Sequence, residues 1–510
     1  MQTLLDNKEK TVINHKNEEK MKTRITLIFL FGLLVGLNAQ FSTPNTGVNW
    51  TLDDIATASP ATVTVDGNTY TLHEDLMVEE NDSLLLNEGL TLKIVSNVEI
   101  GVKGYFKSDA GEHQVMITAT DPENHYKGFW FYDESEIYFK NTLIEYGGGL
   151  KVVTANFEMY DCEVSNNGSG SSTGGAISFS KGSPIIMNSY FNSNEKAALS
   201  SGANTSVAAI IEGNYFNGNH TANGNAPQIN MGPSGPSDTI KIINNTVIGD
   251  RSLTKVGGIS ASSLVGVENN ILIQGNIVKD NRYGITSMGN SSGIIADNII
   301  EDNDTEGEPM LGGSGINLYS TTGMIVTNNQ IRRNLWGVTL QGTAKANFGS
   351  DDEDDFNPGL NVFSENGNDG VIYALYNNTP NDIKALHNCW IEEQESTAEE
   401  VEEVIFHKLD DSELGEVFFD PFECGEEDEM GVSEIKDSGF TIYPNPTKNH
   451  FFVESKENGS LKIYDINGRL LQTENQLQGK NRIQIQLPKG VYVLVFESAN
   501  KLESQKLVVQ

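Results

Sequence analysis

The sequence predicts an all-β protein: a right-handed parallel β-helix, built as a solenoid, followed by a small C-terminal β-sandwich. Two patterns predict it. Through the middle of the chain an apolar residue followed three positions later by Asn or Asp recurs eight times, at intervals of 22–32 residues. A repeat of that length, with short strands and no helical spacing, belongs to coils that stack on one another. Over residues 440–510, alternating apolar runs are separated by Asn-Gly and Pro-Lys-Gly turns, which suits a small antiparallel domain.

Composition agrees with this and excludes some functions. The chain has 510 residues, 37% of them hydrophobic, enough to bury a large core and to exclude wholesale disorder. Lys+Arg 34 against Asp+Glu 70 gives a net charge of −36. Nucleic acid demands a basic face, and an anionic membrane surface attracts one too. Neither partner fits. Three cysteines cannot frame a disulfide scaffold.

The elements follow in chain order. Residues 1–20 are polar and unpatterned and read as a non-native or extended prefix. From Met21, Lys22 and Arg24 precede the largely apolar run Ile25–Leu37, and Asn38-Ala39-Gln40 follows. This is the layout of a signal peptide over 21–39, cleaved after Ala39. The run is too short to span a bilayer comfortably, and no other stretch approaches 18 apolar residues. The mature chain is therefore expected to carry no transmembrane anchor.

Residues 40–424 are assigned to the β-helix. Asp75–Lys107 holds closely spaced β-runs, and Val115–Thr118 and Gly128–Tyr132 continue them. The repeat pairs are Val164/Asn167, Phe191/Asn194, Phe216/Asn219, Val247/Asp250, Val278/Asn281, Ile300/Asn303, Ile331/Asn334 and Phe363/Asn366. After each pair the chain resumes at an apolar residue: Ile177, Leu199, Ile229, Ile259, Ile285, Ile316, Val338 and Val371. Strands of successive coils pair about 4.8 Å apart, stacking Val, Ile and Phe into one core. The recurring Asn is expected to form an amide ladder that satisfies backbone groups at the bend. Asp250 takes its place once, as an acceptor of the same bonds. Leucine-rich repeats share the period, but their Leu-x-x-Leu-x-Leu text is missing.

The opening runs resemble the first coils of secreted β-helix proteins. Phe348–Gly359, Asn361–Asn366 and Asn388-Cys389-Trp390 resemble their closing coils, with Trp390-Ile391 where that family usually has Trp-Gly. Thr397-Ala398-Glu399-Glu400 is a capping box. Val401, Val404, Ile405 and Leu409 then make one stripe, predicting a helix over Thr397–Leu409 that covers the last edge. Cys389 and Cys424 bracket this cap and can form one disulfide in an oxidising compartment, whereas Cys162 reads as a small core residue. An acidic linker fills 425–439.

In the C-terminal segment Tyr443-Pro444-Asn445-Pro446 opens the text. Ile463-Tyr464-Asp465-Ile466-Asn467-Gly468-Arg469 sits in the middle, Leu487-Pro488-Lys489-Gly490-Val491-Tyr492-Val493 follows, and Lys506-Leu507-Val508-Val509 closes it. With every block in order, residues 440–510 resemble the type A C-terminal sorting domain of type IX secretion cargo from Bacteroidota-type Gram-negative bacteria. The resemblance implies engagement by that secretion machinery, export across the outer membrane, removal of the domain, and release or attachment at the cell surface.

Chemistry is carried by loops and side-chain rows. The long connections Gly168–Gly175, His220–Gln228, Arg251–Gly258 and Asp304–Gly315 leave one corner and should wall a groove. His220, Arg251, Lys255, Glu306 and Glu308 are its ionisable members, candidates for an acid or base acting on a sugar chain or plain solvated residues. Lys279/Asp280, Glu301/Asp302 and Arg332/Arg333 fall at equivalent places on adjacent coils. They form either a surface charge ladder of little energy or, through Arg282, Arg332 and Arg333, an anchor for acidic polysaccharide. Pectate-lyase-like β-helices use an Arg base and carboxylate-held Ca²⁺, but that family's Arg-Pro and Trp-Ile-Asp-His blocks are missing here. Asp351, Asp352, Asp354 and Asp355 are candidate Ca²⁺ ligands, without the spacing of an EF-hand. No other cofactor is indicated.

The expected function is that of an exported surface or secreted β-helix that binds extracellular polysaccharide or acts as an adhesin. The alternative is a polysaccharide lyase or glycoside hydrolase working in the groove. Charge is unevenly spread: residues 1–39 carry +2 and 440–510 carry +3, leaving −41 on 40–439. Of this, −16 lies within Glu392–Glu429, so the coils themselves are only moderately acidic.

Overall fold

The computed structural model describes residues 40–168, 174–307, 313–368, 370–392, 395–424, 440–445, 447–465, 470–498 and 502–509. The expected prefix, signal peptide and acidic linker fall outside them, as do Glu308, Pro446 and Gly468.

Short runs of β-branched and aromatic residues, broken by Asn, Asp and Gly, favour strands that soon turn a corner. Each coil accordingly lays one strand in each of three sheets, which are parallel except where Val63–Asp66 pairs antiparallel with Thr69–Leu72 at the start of the third. The first sheet runs from Gln40–Ser42 to Ile405–Phe406, the second from Asn49–Trp50 to Val417–Phe418, and the third from Val63–Asp66 to Val362–Ser364. The restart predicted at Val371 is corrected: Val371 is exposed and pairs antiparallel with Asn368, and Leu375 takes the place beside Val338. The other seven predicted restart residues stack in register inside the first sheet: Ile177, Leu199, Ile229, Ile259, Ile285, Ile316 and Val338. Inside the third, Val164, Phe191, Phe216, Val247, Val278, Ile300, Ile331 and Phe363 do the same. All are buried, and burial of each such side chain contributes about 2 kcal/mol.

Amide ladders close both corners of the third sheet. At the corner leading to the first sheet, Asn167 Nδ2 donates to Asn194 Oδ1 (3.1 Å), and Asn194 to Asn219 (2.7 Å). Further along, Asn281, Asn303, Asn334 and Asn366 continue it at 2.9–3.2 Å. Asp250 is not a rung. Its carboxylate turns outward and accepts from the backbone N–H and hydroxyl of Ser252. Gln228 fills the gap instead: its Oε1 accepts from Asn219 (3.0 Å) and its Nε2 donates to Asn281 Oδ1 (3.0 Å). The physical reason is that every rung must donate as well as accept, and a carboxylate has no N–H.

A second ladder, not read from the sequence, occupies the corner between the second and third sheets. Asn214, Asn245, Asn276, Asn298, Asn329, Asn361 and Asn388 join Nδ2 to Oδ1 at 2.9–3.0 Å. Ser189 and Cys162 extend it: the Cys162 N–H donates to Ser189 Oγ, and the Ser189 N–H to Asn214 Oδ1. Burial pushes the Cys162 thiol up to about 12. Rungs of both ladders follow residues in the left-handed region, such as Asn244, Asp280, Asp297, Asp302 and Asn328, where Asn and Asp are tolerated best.

Both ends are covered. At the start, helix Leu52–Ala58 buries Leu52 and Ile55 behind a Thr51/Asp54 capping box. Buried Asp82 there accepts the backbone N–H groups of Asn45, Thr46, Gly47 and Val48. At the other end the capping box on Thr397 and Glu400 forms, but the helix spans only Ala398–Glu403. The predicted stripe to Leu409 is corrected: Ile405–Phe406 leaves the helix as a strand beside Leu375–Tyr376, and Leu409 is exposed. The edge of the first sheet offers Ile405 and Phe406 parallel pairing and lets Phe406 stack on Tyr376 (4.4 Å), more than another helical turn would. Trp390 stacks on Phe363 (4.9 Å), and Cys389 and Cys424 are disulfide-bonded.

The C-terminal segment is an antiparallel sheet of Phe440–Tyr443, His450–Asp465, Leu470–Gln484, Gly490–Ser498 and Leu502–Val509. It has its own core, including Phe440, Ile442, Phe451, Val453, Ile463, Leu494, Phe496 and Leu507. The long second strand changes register between Ser455 and Gly459. Of the motif residues, Tyr443 ends the first strand and Pro444 is buried. Asn445 Oδ1 accepts from Val508 N–H, Gly490 opens the fourth strand, the Tyr492 hydroxyl donates to Pro488 O, and Lys506 lies in the last strand.

Candidate functional site

On the outer face of the first sheet the side chains beside the inward Ile and Val column form a second row. Ser178, Ser200, Asn230, Ser260, Thr286, Asn317 and Thr339 pair successively in register. Six strand steps of about 4.8 Å make this row about 29 Å long. Every member is a neutral hydroxyl or amide. Ser178 and Ser200 share a hydrogen bond (2.9 Å), Thr286 donates to Asn317 O (3.2 Å), and Ser314 bonds Thr339. The Asn317 Oδ1 is buried with no partner among the described residues. Aromatic groups bound the row: Lys151 lies over Trp130 at one end (3.6 Å to the ring), and Tyr376, between Trp336 (4.6 Å) and Phe406, stands at the other.

Over the middle of the row lies a cleft of about 430 Å³, lined by Asn230, Ser260, Thr286 and Asn317 below and by Asn225, Arg282 and Tyr283 on one side. Of the predicted loops, His220–Gln228 supplies part of that side through Asn225, while Arg282 and Tyr283 come from the short connection before Ile285; His220, Arg251, Lys255 and Glu306 are not among the lining residues. Arg282, nearly buried, donates to Asn225 Oδ1 (2.5 Å) and lies 3.7 Å from the Glu306 carboxylate. Arg251 bridges Asp280 (3.0 Å) and Asp304 (2.6 Å) and reaches the Asp302 carbonyl, while the Lys255 N–H donates to Asn223. His220 is held by its own loop, its Nδ1 donating to Ala226 O (3.2 Å). Burial holds the imidazole below its ordinary range, so it is neutral at pH 7.

The other predicted candidates lie away from this cleft. Arg332 forms a two-pronged pair with Glu392, and Arg333 pairs with Glu301 (2.7 Å) and Asp302 (2.8 Å). Lys279, Glu301 and Arg332 do fall in register on adjacent coils, as their spacing predicts. In the acidic loop, Asp351 meets His387 (2.8 Å), Asp352 and Asp355 share Lys384 (2.8 and 3.0 Å), and Asp354 is exposed. Among the described residues no three His, Cys, Asp or Glu side chains are grouped to hold a metal ion. The polar row itself was missed, although its signal is plain: each member is the residue immediately after a restart apolar residue.

Residues 234–391 match the model of the right-handed β-helix region, and residues 441–510 match that of the secretion system C-terminal sorting domain. No curated protein matches the chain. Among solved structures it is similar to the periplasmic alginate epimerase AlgG, at 13% identity and a TM-score of 0.36, over 73% of this chain and 83% of that one. A point mutant of the same enzyme scores 0.34 at the same identity and coverage. Likeness at this level carries no argument about substrate. Among the described residues no helix is long and apolar enough to cross a membrane. The chain joins a right-handed β-helix to a type IX secretion C-terminal sorting domain, which directs it to the cell surface or the extracellular space.

Proposed function

We propose that the protein binds an extracellular polysaccharide along the outer row of its first sheet, as a surface glycan binder or adhesin. The observation that supports this is the unbroken neutral row Ser178–Thr339, a hydroxyl or amide on each coil, of which Asn230, Ser260, Thr286 and Asn317 floor the cleft while Thr339 at the far end is buried against Ser314. Sugar hydroxyls are donors and acceptors on a similar scale, and neutral partners at repeated positions suit a chain of repeated units. No charged side chain interrupts the row, which favours a neutral glycan over a uronate polymer.

The test is a glycan panel screened with the full chain, with and without chelator. Binding is expected to fall about thirtyfold for Asn230→Ala with Thr286→Val, since each of the two lost hydrogen bonds is worth about 1 kcal/mol. Unchanged binding in that variant would overturn the site. Chelator sensitivity would implicate the Asp351–Asp355 loop in calcium binding. An enzymatic reading draws on the Arg282–Glu306 pair at the cleft wall. Release of unsaturated or reducing ends on the panel, lost in Glu306→Gln, would establish a lyase or hydrolase.

A further inference from the structure

The outer face of the third sheet carries a different row, Glu163–Tyr190–Tyr215, aligned by register across three coils. Opposite it lies the outer face of the sorting sheet, where Tyr443, Phe452 and Arg482 are in register and Lys480 pairs with Glu454 along the same strands. The two rows interlock. The Tyr443 ring stacks on Tyr190 (4.4 Å, 16°) and on Tyr215 (4.5 Å, 22°), with Phe452 at 5.7 Å. Lys480 Nζ pairs with the Glu163 carboxylate and sits 4.2 Å from the Tyr190 ring centre and 4.8 Å from that of Phe452. Asp161 on the flank faces the charges of Lys448 and Arg482.

Three features mark this as a built contact. Tyr443 takes no part in the sorting domain's own core but forms a separate cluster with Tyr190 and Tyr215. Tyr443 is 1% exposed and Tyr190 3%, whereas an outward strand position on a free solenoid would leave a tyrosine ring in water. The charges are complementary, a +3 segment against a −41 body. Stacked ring pairs add attraction beyond their burial, and the Lys480 ammonium adds a cation–π contact on a shielded face.

We infer that the Glu163–Tyr190–Tyr215 flank is a receptor for the sorting domain of the same chain, and that the secretion machinery engages that domain only after it undocks. The docked state buries Tyr443 and Pro444, the opening residues of the sorting motif, so it withholds them from any partner. A partner that binds only the undocked form must bear the cost of separating the two faces. The flank thus keeps the tag folded down on its cargo until a competitor takes it.

Hydroxyl-radical footprinting of the full chain tests the docking, with exposed Tyr319 as the internal reference. Tyr443 is expected to be protected in the natural protein. Labelling should rise about tenfold in Glu163→Lys and in Tyr190→Ser/Tyr215→Ser, because loss of one or two such contacts shifts the equilibrium by roughly 1.4 kcal/mol. Glu163→Lys with Lys480→Glu should restore protection. Since the substituted side chains point out of the coils, circular dichroism of each variant should remain that of the natural fold. Tyr443 labelled as fast as Tyr319 in the natural protein, or no response to either variant, would overturn the receptor. Protection that depends on protein concentration would overturn the same-chain contact in favour of a second copy's domain. In cells carrying the secretion pathway, Tyr190→Ser/Tyr215→Ser should be exported at least as fast as the natural chain. A folded variant that fails to leave the cell would show that the docked form is the one engaged, and would overturn the order of events.

Discussion

Gln228 occupies a column otherwise reserved for the smallest residues: Ala176, Ala198, Gly258, Gly284, Gly315, Gly337 and Ala374 stand at the same place in other coils. A Cβ at Gly258 would come within 2.5 Å of Val278 Cγ1, so that column normally abuts the core corner. Gln228 departs from it to reach the ladder, where its amide joins Asn219, Asn281 and the Ile248 carbonyl (2.8 Å). Gln228→Ala leaves these buried groups unpaired and is expected to cost about 2–3 kcal/mol, read as a lower denaturation midpoint. Asp250→Ala, at an exposed position bonded only to its own turn, should stay within about 0.5 kcal/mol. The three-residue spacing places Asp250 in the ladder, yet spacing alone does not distinguish an amide from a carboxylate. A large polar residue in a Gly/Ala column was the available sign.

At the scale of elements, period and apolar pattern were readable because each coil repeats one set of inward positions. What lay beyond that reading were choices made by neighbours. The Thr397–Glu400 box starts a helix as predicted, but the open edge at Leu375–Tyr376 takes Ile405–Phe406 as a strand. The second Asn ladder was legible in the dipeptides Asn244-Asn245, Asp297-Asn298 and Asn328-Asn329, where a left-handed residue precedes each rung. The Cys389–Cys424 bridge ties the terminal cover to the last coil. Cys424→Ser should cost about 3 kcal/mol there. In a solenoid each coil contacts only its neighbours, so hydrogen exchange should accelerate over residues 383–418 and remain unchanged over 247–332. In the sorting domain, burial and then the Arg482 charge push His450 down to about 4. The folded domain therefore favours neutral imidazole, whose ordinary value is about 6.5. Its contribution is complete above that value and is lost as pH falls from about 6.5 towards 4. The melting temperature of the sorting domain should drop across that window, and His450→Gln should flatten the drop.

For the whole molecule, charge is segregated by surface rather than averaged over it. The acidic residues of 395–424 and the Asp351–Asp355 loop lie at the C-terminal end of the solenoid, and the cationic candidates Arg251, Arg332 and Arg333 are each tied to carboxylates. The row from Ser178 to Thr339 is neutral throughout. A ligand held there by hydrogen bonds alone should feel little of the body's field, because the nearest compensated pairs act as dipoles rather than as net charge. Raising salt from 0.1 to 1 M shortens the screening length from about 10 Å to 3 Å. Affinity for a neutral glycan, measured by calorimetry across that range, is therefore expected to change less than about twofold. An anionic polymer would respond. Screened repulsion from the −41 body would strengthen its binding with salt, whereas competition for arginines would weaken it. A salt slope of either sign would move the binding face from the neutral row to the charged flanks, and a flat response would keep it on the first sheet.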